Sequence, residues 1–198
     1  MSLPVILASQ SAARRRLLAA AGVAFQAVAA GIDEEEVKRS LQAEGATAIQ
    51  AAETLAEMKA QKISRKHPGA LVIGADQLLE CEGEWYDKPL DRAAAAQQLS
   101  SLAGRRHALA TATVAVRDGA RIWHRHDQPR IALRALTAEQ IEGYLDLAGE
   151  GVLGSVGCYQ VEGVGVRIIA AIEGDLFAVQ GLPLLAVLDL LRQNGAIA

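Results

Sequence analysis

The sequence contains little cysteine and no marked excess of charge, and each shortage excludes a class of protein. Only two cysteines, Cys81 and Cys158, occur in 198 residues, and their separation matches no metal-binding spacing. A disulfide framework is therefore not expected, and the pair favours a reducing compartment. The formal net charge of −3 gives no overall attraction to nucleic acid or to an anionic membrane, so any anion-binding site must be local.

Membrane and targeting signals are also lacking. No stretch approaches the ~20 consecutive apolar residues that a membrane-spanning helix requires. Near the N-terminus the apolar residues precede the positive charges, which is the reverse of a secretory signal. No basic stripe interleaved with aromatic residues occurs either, which disfavours an RNA-associated factor. We therefore expect a cytoplasmic protein without nucleic-acid or membrane partners.

What the chain does contain is an α/β pattern. Apolar residues make up 51% of the sequence, enough for one large domain or for two lobes around a shared cleft. Alternating side chains on both sides of Asp118-Gly119 predict a hairpin, and hence a mixed rather than a purely parallel sheet. No repeat, low-complexity tract or linker divides the chain, so we predict a single domain over residues 1–198.

Apolar spacing and terminal residues predict the positions of the elements. Helices are predicted at residues 11–21, just after 32–36, at 47–66 and 91–102, from Thr137 onward, and from Pro183 onward. Strands are predicted at residues 3–8, 24–29, 70–77, 85–86, 107–116, 120–133 and 166–170.

Asp76 is the most informative residue of the chain. It closes a run of small and aliphatic residues, 70–75, with the character of a strand buried on both faces. Because an unpaired buried carboxylate is costly, such an Asp is paired, bound to a cation or used in chemistry; a purely structural pairing fits the pattern as well. A second apolar strand opens into Ser9-Gln10-Ser11. The ends of such strands gather at ligand-binding crevices in open α/β sheets.

Two basic residues lie on the apolar faces of predicted helices. Lys59 is four residues from both Leu55 and Ile63. Either its stem follows the core edge and its ammonium group reaches water, or the side chain points into a cleft toward an anion. Arg14 is four residues before Leu18, in the first turn of its helix. There, free amides and a guanidinium group together favour an anion.

These groups match the requirements of triphosphate hydrolysis. A nucleoside triphosphate carries about four negative charges, which Mg²⁺ and fixed cations must screen before a nucleophile approaches phosphorus. Lys88, followed by the rigid Pro89, is a third candidate cation, although a surface lysine is the ordinary alternative. Mg²⁺ takes one or two protein carboxylates, which Asp76 and Glu34 can supply, and one of the two can also align or deprotonate a water.

Short segments spread over nearly the whole chain form one ordered set. They are Leu7-Ala8-Ser9-Gln10-Ser11 with Arg14, Ile32-Asp33-Glu34, Leu55-Ala56-Glu57-Met58-Lys59-Ala60, Ile73-Gly74-Ala75-Asp76-Gln77, Asp87-Lys88-Pro89, Glu162-Gly163-Val164-Gly165 and Gly181-Leu182-Pro183. In order and spacing the set resembles the Maf family of nucleoside triphosphate pyrophosphatases, the septum-formation proteins. The resemblance implies an α/β fold with a mixed twisted sheet flanked by helices, two lobes around a deep cleft, and subunits that often form homodimers.

The resemblance also implies a reaction and roles for single residues. The reaction splits a nucleoside triphosphate between its α and β phosphates with a divalent metal cation, Mg²⁺ or alternatively Mn²⁺ or Co²⁺. Asp76 matches the proton acceptor, and Glu34 matches an acidic position that we interpret as metal-linked. The phosphate-binding positions of the family match Ser9, Arg14, Lys59 and Lys88.

Three positions bear on the nucleotide base. Gln77 and Glu162 resemble the branch specific for 7-methyl-GTP, since the dTTP/UTP branch usually has Thr and Gln there. A glutamate accepts hydrogen bonds from the N1 and N2 hydrogens of guanine, and its charge suits a cationic methylated base. Ala13 departs from both branches, because it replaces the Trp of one and the Arg of the other. Stacking on an aromatic side chain is worth about 1–3 kcal/mol per base elsewhere, so the departure bears on selectivity.

We therefore expect 7-methyl-GTP or another modified nucleotide as the substrate. The alternatives are a dTTP/UTP pyrophosphatase and a nucleotide-binding cell-division regulator that lost turnover through the Ala12-Ala13 change. The glycines from Gly149 to Gly154 satisfy G-x-G-x-x-G, but they follow a helix rather than opening one after a strand, so they do not predict dinucleotide binding.

Overall fold

The computed structural model describes residues 3–198, which contain eight strands and seven α-helices. The strands are β1 (Val5–Leu7), β2 (Gln26–Ala27), β3 (Leu71–Cys81), β4 (Glu84–Tyr86), β5 (Arg106–Arg117), β6 (Ala120–Asp127), β7 (Arg130–Leu133) and β8 (Ile169–Glu173). The α-helices are α1 (Ala12–Ala20), α2 (Glu34–Ala43), α3 (Ala48–Ser64), α4 (Arg92–Leu102), α5 (Ala138–Ala148), α6 (Leu176–Val179) and α7 (Leu184–Gln193). Short 3-10 helices lie at Glu150–Gly154, Val156–Cys158 and Val164–Ile168.

The strands form one mixed sheet in the order β2-β1-β3-β5-β7-β8, with β4 paired to β3 and β6 paired to β5. The predicted fold class, a mixed α/β sheet flanked by helices, is confirmed. By compactness the chain divides into two units. The first unit comprises the described residues up to Gln77 together with Thr111–Asp127 and Phe177–Ala198. The second unit comprises Leu78–Ala110 and Gln128–Leu176, and the predicted deep cleft stays a prediction.

In the first unit, β1 pairs in parallel with β2 on one side and β3 on the other, so that Ile6 lies opposite both Gln26 and Val72. Parallel strands covered on both faces are apolar throughout, which explains the continuous aliphatic runs of β1 and β3. The β5–β6 hairpin turns at Asp118-Gly119, as predicted, and both turn residues have positive φ. The core of this unit gathers side chains from β1, α1, β3 and α7, including Leu7, Leu18, Ile73, Val187 and Leu191.

In the second unit, β7 pairs antiparallel with both β5 and β8, and β4 pairs antiparallel with the last residues of β3. Helix α5 begins with the capping box that Thr137 and Gln140 predict. Its apolar face buries Ile141, Tyr144 and Leu145.

Several predicted boundaries are wrong. The strand containing Asp76 does not end there, since β3 continues to Cys81 and gains β4 as a partner beyond the polar pair. The run to residue 133 is two strands, because β6 ends at Asp127 before Pro129, whose ring nitrogen has no hydrogen to donate. β8 begins only at Ile169, after a 3-10 helix, and the short helix α6 was not predicted.

Gly74 allows α3 to lie directly on β3. A Cβ built at this position would lie 2.1 Å from the carbonyl oxygen of Ala56 and 2.9 Å from the Cβ of Ala60. Both contacts are far closer than carbon and oxygen or two carbons can approach, so any side chain would push the helix off the strand. Because Lys59 lies between Ala56 and Ala60 in sequence, this close approach also sets how far Lys59 lies from β3.

We therefore expect Gly74→Ala to lower the free energy of unfolding by about 1–3 kcal/mol through overpacking. Gly143→Ala, within α5, is the matched control, since a Cβ placed there meets no other atom within 4 Å. There the same substitution is expected to stabilise the helix by about 0.5–1 kcal/mol. Urea unfolding of both variants measures the difference. Equal effects of the two substitutions would contradict the close approach at Gly74.

Candidate active site

Three charged side chains meet in the first unit. Lys59 Nζ lies 2.5 Å from Asp76 Oδ1 and 2.7 Å from Glu34 Oε1. The side chains of Lys59 and Asp76 are only 8% and 7% exposed, whereas that of Glu34 is 44% exposed. Neither sequence interpretation of Lys59 describes this arrangement fully, because the ammonium group lies between two carboxylates rather than in water or against a free anion. The Asp76 end of this trio is therefore buried, whereas the Glu34 end is accessible to solvent.

Local structure accounts for the position of each member. Asp76 lies in the buried part of β3, and Lys59 projects from the buried face of α3 that rests on Gly74. Glu34 is the first residue of α2, whose N-terminus is capped by the Asp33 side chain bonded to the amide of Glu36. A carboxylate is favoured at a helix N-terminus, because the exposed amides there carry partial positive charge.

One oxygen of Asp76 is left without a partner. Asp76 Oδ2 is buried and accepts no hydrogen bond from the described residues, although Oδ1 is bound to Lys59. Leaving a buried acceptor unsatisfied costs about 1–3 kcal/mol, and more when it is charged. Such an oxygen is typical of a site whose remaining partner is a water, a metal ion or a substrate atom.

The donor set fits a hard divalent cation. Mg²⁺ binds through one or two carboxylates and keeps several waters or phosphate oxygens. Asp76 Oδ2 is available for that role, and Glu34, bound to the same ammonium group, is partly open to solvent. Among residues 3–198 no group of three or more His, Cys, Asp or Glu side chains is placed to hold a metal ion. Two carboxylates leave the remaining coordination positions of such an ion to waters or phosphate oxygens.

Arg14 ties three segments of the first unit together. Its Nε donates to the carbonyl oxygen of Gly181 at 2.7 Å, and its Nη1 donates to the carbonyl of Ala75 at 2.8 Å and to Ser9 Oγ at 3.3 Å. Burial lowers the pKa of the Arg14 guanidinium, and the charges of Asp76 and Glu34 oppose that shift. Arg14 thus holds the start of α1 beside the residue that precedes Asp76.

Ser9 and Ser11 shape the turn into α1. Ser9 Oγ accepts from the amide of Ser11 at 3.2 Å, and Ser11 is the N-cap of α1, accepting from the amide of Arg14 at 3.4 Å. Both hydroxyls therefore have structural partners, in addition to the phosphate contact predicted for Ser9. Ala13 lies half-buried in the first turn of the same helix.

Gln77 is fixed by its amide nitrogen. Nε2 donates to Thr111 Oγ1 at 2.8 Å, to the carbonyl of Ala178 at 2.9 Å and to that of Val179 at 3.3 Å. With Nε2 committed in this way, Oε1 is the atom of this side chain that can meet a ligand. Sequence reasoning missed these carbonyls of α6, because a carbonyl partner depends on backbone path rather than on residue type. The motif Gly181-Leu182-Pro183 was the only sequence signal for this region.

Lys88 and Glu162 belong to the second unit. Lys88 is exposed in the segment between β4 and α4, and Glu162 is exposed in a turn between two 3-10 helices. The structure thus brings together Asp76, Lys59, Glu34, Arg14 and Ser9 in the first unit, with Gln77 beside Asp76 in the chain. The functional roles of all these residues, the homodimer and the cytoplasmic location stay predictions. No helix among residues 3–198 is long and apolar enough to cross a membrane.

Comparison with known proteins gives consistent matches over nearly the full length. A family model described as "Maf-like protein" matches residues 4–194. A protein of Paramagnetospirillum magneticum named nucleoside triphosphate pyrophosphatase is 50% identical over 192 residues, covering 97% of this chain and 99% of the relative. Relatives with the same name from Rhodospirillum rubrum and Caulobacter vibrioides are 50% and 46% identical, each over 98% of this chain and over 96% and 97% of their own length. The chain therefore belongs to the Maf-like protein family.

Proposed function

We propose that this protein is a nucleoside triphosphate pyrophosphatase. It adds water to the α phosphorus and breaks the bond to the oxygen bridging the α and β phosphates, releasing a nucleoside monophosphate and pyrophosphate. The names of the full-length relatives support this activity. The observation that carries it is the buried Asp76, with one oxygen bound to Lys59 and the other without a partner among the described residues.

We assign to Asp76 the role of accepting a proton from the attacking water. Its Oδ1 is held by Lys59, which fixes the plane of the carboxylate and leaves Oδ2 to accept a proton. Lys59 also holds Glu34, so one ammonium group orients both carboxylates of the site. Arg14 supports the backbone beside Asp76 through the Ala75 carbonyl. The site is thereby ordered by contacts within the first unit before a nucleotide binds.

A divalent cation fits this charge arrangement. Asp76 and Glu34 carry negative charge and Lys59 and Arg14 positive charge, so the four groups together are formally neutral. A formally neutral cluster offers little net attraction to a polyphosphate bearing about four negative charges. A bound Mg²⁺, held by Asp76 and Glu34, would supply the missing positive charge and polarise phosphate oxygens. We propose that Lys88 adds a further cation for the phosphates.

For the base we propose 7-methylguanine or a similarly modified purine. Glu162 accepts from the base and complements its positive charge, and Gln77 offers Oε1 because its Nε2 is used within the protein. Ala13 provides no ring for stacking, so selectivity depends on these polar contacts more than on an aromatic platform.

Pyrophosphate release from a panel of triphosphates tests both the proposed reaction and the proposed preference for the base. With Mg²⁺, we expect turnover of at least one triphosphate, with the highest kcat/KM for 7-methyl-GTP among 7-methyl-GTP, GTP, UTP and dTTP. Because a charged hydrogen bond is worth about 1.5–3 kcal/mol, Glu162→Gln is expected to lower kcat/KM for 7-methyl-GTP by roughly tenfold to a hundredfold.

The control for this panel is Glu150→Gln, since Glu150 is an exposed carboxylate earlier in the chain than Glu162 and no change in substrate preference is expected. A wild-type preference for UTP or dTTP would replace the base assignment and leave the reaction intact. Nucleotide binding without release of pyrophosphate from any member of the panel would instead favour the non-catalytic regulator.

A further inference from the structure

Gln98 connects two irregular segments of the second unit. On α4, its Nε2 donates to the carbonyl oxygen of Asp87 at 2.9 Å. Its Oε1 accepts from the amide of Gly157 at 2.8 Å and from Cys158 Sγ at 3.1 Å. Burial raises the pKa of the Cys158 thiol to about 12, so the thiol keeps its proton and donates it. The amide nitrogen of Gln98 thus bonds the segment that contains Asp87, and its amide oxygen bonds the segment that contains Gly157 and Cys158.

The two segments carry the candidate ligands of this unit. Asp87 directly precedes Lys88, and Gly157 and Cys158 lie shortly before Glu162 in the chain. Lys88 is the candidate phosphate contact and Glu162 the candidate base contact. Gln98 itself is half-buried and stands outside the motif set of the family resemblance.

No strand ladder among the described residues supports the second segment, whose conformation depends on short-range backbone hydrogen bonds and on side-chain bonds to neighbouring elements. Residues 150–168 form only 3-10 helices and turns, and Cys158 has a left-handed φ of 59°. Tyr144 Oη donates to the carbonyl of Cys158 at 2.9 Å, and Tyr159 Oη lies 2.6 Å from His107 Nε2. Tyr144, Tyr159 and Gln98 thus each contribute a side-chain bond that holds the segment, and the Gln98 amide bonds the residue before Lys88 as well.

We propose that Gln98 is a positioning residue that fixes the Lys88 segment relative to the Glu162 segment. The inference rests on the proposed function, since it assumes that Lys88 meets the phosphates and Glu162 the base of one nucleotide. A nucleotide carries its base and its phosphates at opposite ends of one covalent linkage, so contacts to both ends at once require the two protein segments to hold a matching separation. Gln98 sets that separation through hydrogen bonds without touching the nucleotide.

Substitutions can test the hydrogen bonds of the Gln98 amide nitrogen and of its amide oxygen separately. Gln98→Met removes all three hydrogen bonds at nearly constant volume. Gln98→Glu keeps acceptor oxygens for Gly157 and Cys158 but has no hydrogen for the Asp87 carbonyl. We expect KM for 7-methyl-GTP to rise roughly tenfold in Gln98→Met, with a smaller rise in Gln98→Glu and a smaller change in kcat in both, because the loss is one of binding geometry.

A double-mutant cycle distinguishes positioning from general support of the fold. In a Lys88→Ala, Glu162→Ala background the two groups that Gln98 positions are gone, so Gln98→Met is expected to change KM by less than about twofold. A role confined to folding would give the same fold-change in both backgrounds. Gln97→Met is the matched control, since Gln97 is exposed on the same helix and is expected to behave as wild type.

Binding of an α,β-methylene analogue of GTP, measured by calorimetry, separates this inference from the proposed function. If no triphosphate is hydrolysed, the proposed function fails, while a weaker Kd in Gln98→Met than in Gln97→Met still supports positioning. Equal Kd in Gln98→Met and wild type, together with equal KM where a triphosphate is hydrolysed, overturns the inference. If Gln98→Met does not fold, Gln98→Glu and Gln98→Asn carry the same comparison.

Discussion

Asp76→Asn is expected to lose at least about a hundredfold in kcat while the protein keeps its fold. The amide has the shape of the carboxylate, and its oxygen can still accept from Lys59 Nζ in place of Oδ1. What it loses is the ability to accept a proton from water and the negative charge that a divalent cation requires. The position of Oδ2 is then taken by the amide nitrogen, which does not serve as a base at neutral pH.

Pyrophosphate release with saturating Mg²⁺ and triphosphate measures this loss, and circular dichroism with thermal unfolding checks the fold. Asp189→Asn is the control, because Asp189 is an exposed carboxylate paired with Arg192 on the surface of α7. It is expected to retain wild-type turnover. Turnover in Asp76→Asn within a few-fold of wild type would remove Asp76 from the reaction and leave it a structural partner of Lys59.

The sequence identified the charged residues of the site better than it identified their partners. Asp76, Lys59 and Arg14 stood out because each is charged at a position where the pattern is apolar, and a buried charge always requires compensation. Burial of all three is confirmed. Which group compensates which depends on how α3 approaches β3, and that follows from the contact between Gly74 and Ala56, which local periodicity does not contain.

The partners of Arg14 illustrate the same limit. The sequence placed it on the buried face of α1 as an anion-binding residue, whereas its observed partners are the carbonyls of Gly181 and Ala75 and the hydroxyl of Ser9. Every residue except proline offers the same carbonyl and amide groups, so no residue type marks which carbonyl will be used. Gln98 was missed for this reason, since all three of its bonds involve backbone atoms or a cysteine thiol.

The length of β3 was underestimated because a polar pair looks like the end of an apolar strand. Asp76 and Gln77 interrupt the aliphatic run, yet β3 continues through Leu78 and Leu79, which are buried again. A strand can carry a buried polar residue in its middle when that residue is compensated, as Asp76 is by Lys59 and Gln77 is by three acceptors. The polar interruption therefore marked the site and not the strand end.

The second large effect is expected from Lys59→Met, in both stability and turnover. Removing the ammonium group leaves the buried Asp76 carboxylate without its ion-pair partner, and such a loss typically costs about 3–5 kcal/mol. The loss falls near the lower end, because Glu34 is partly open to water and Arg14 lies close enough to interact with both carboxylates. Turnover is expected to fall as well, since Asp76 and Glu34 are then no longer held in one orientation.

Combining Lys59→Met with Asp76→Asn tests whether the unpaired Asp76 carboxylate causes the loss of stability. Since the double variant has no buried unpaired carboxylate, its free energy of unfolding is expected to exceed that of Lys59→Met alone, although its turnover stays lost. Lys66→Met, at an exposed lysine just beyond α3, is the control and should unfold like wild type. Strictly additive losses of stability in the double variant would mean that Lys59 and Asp76 do not compensate each other, and the ordered carboxylate that the proposed hydrolysis requires would then have no support.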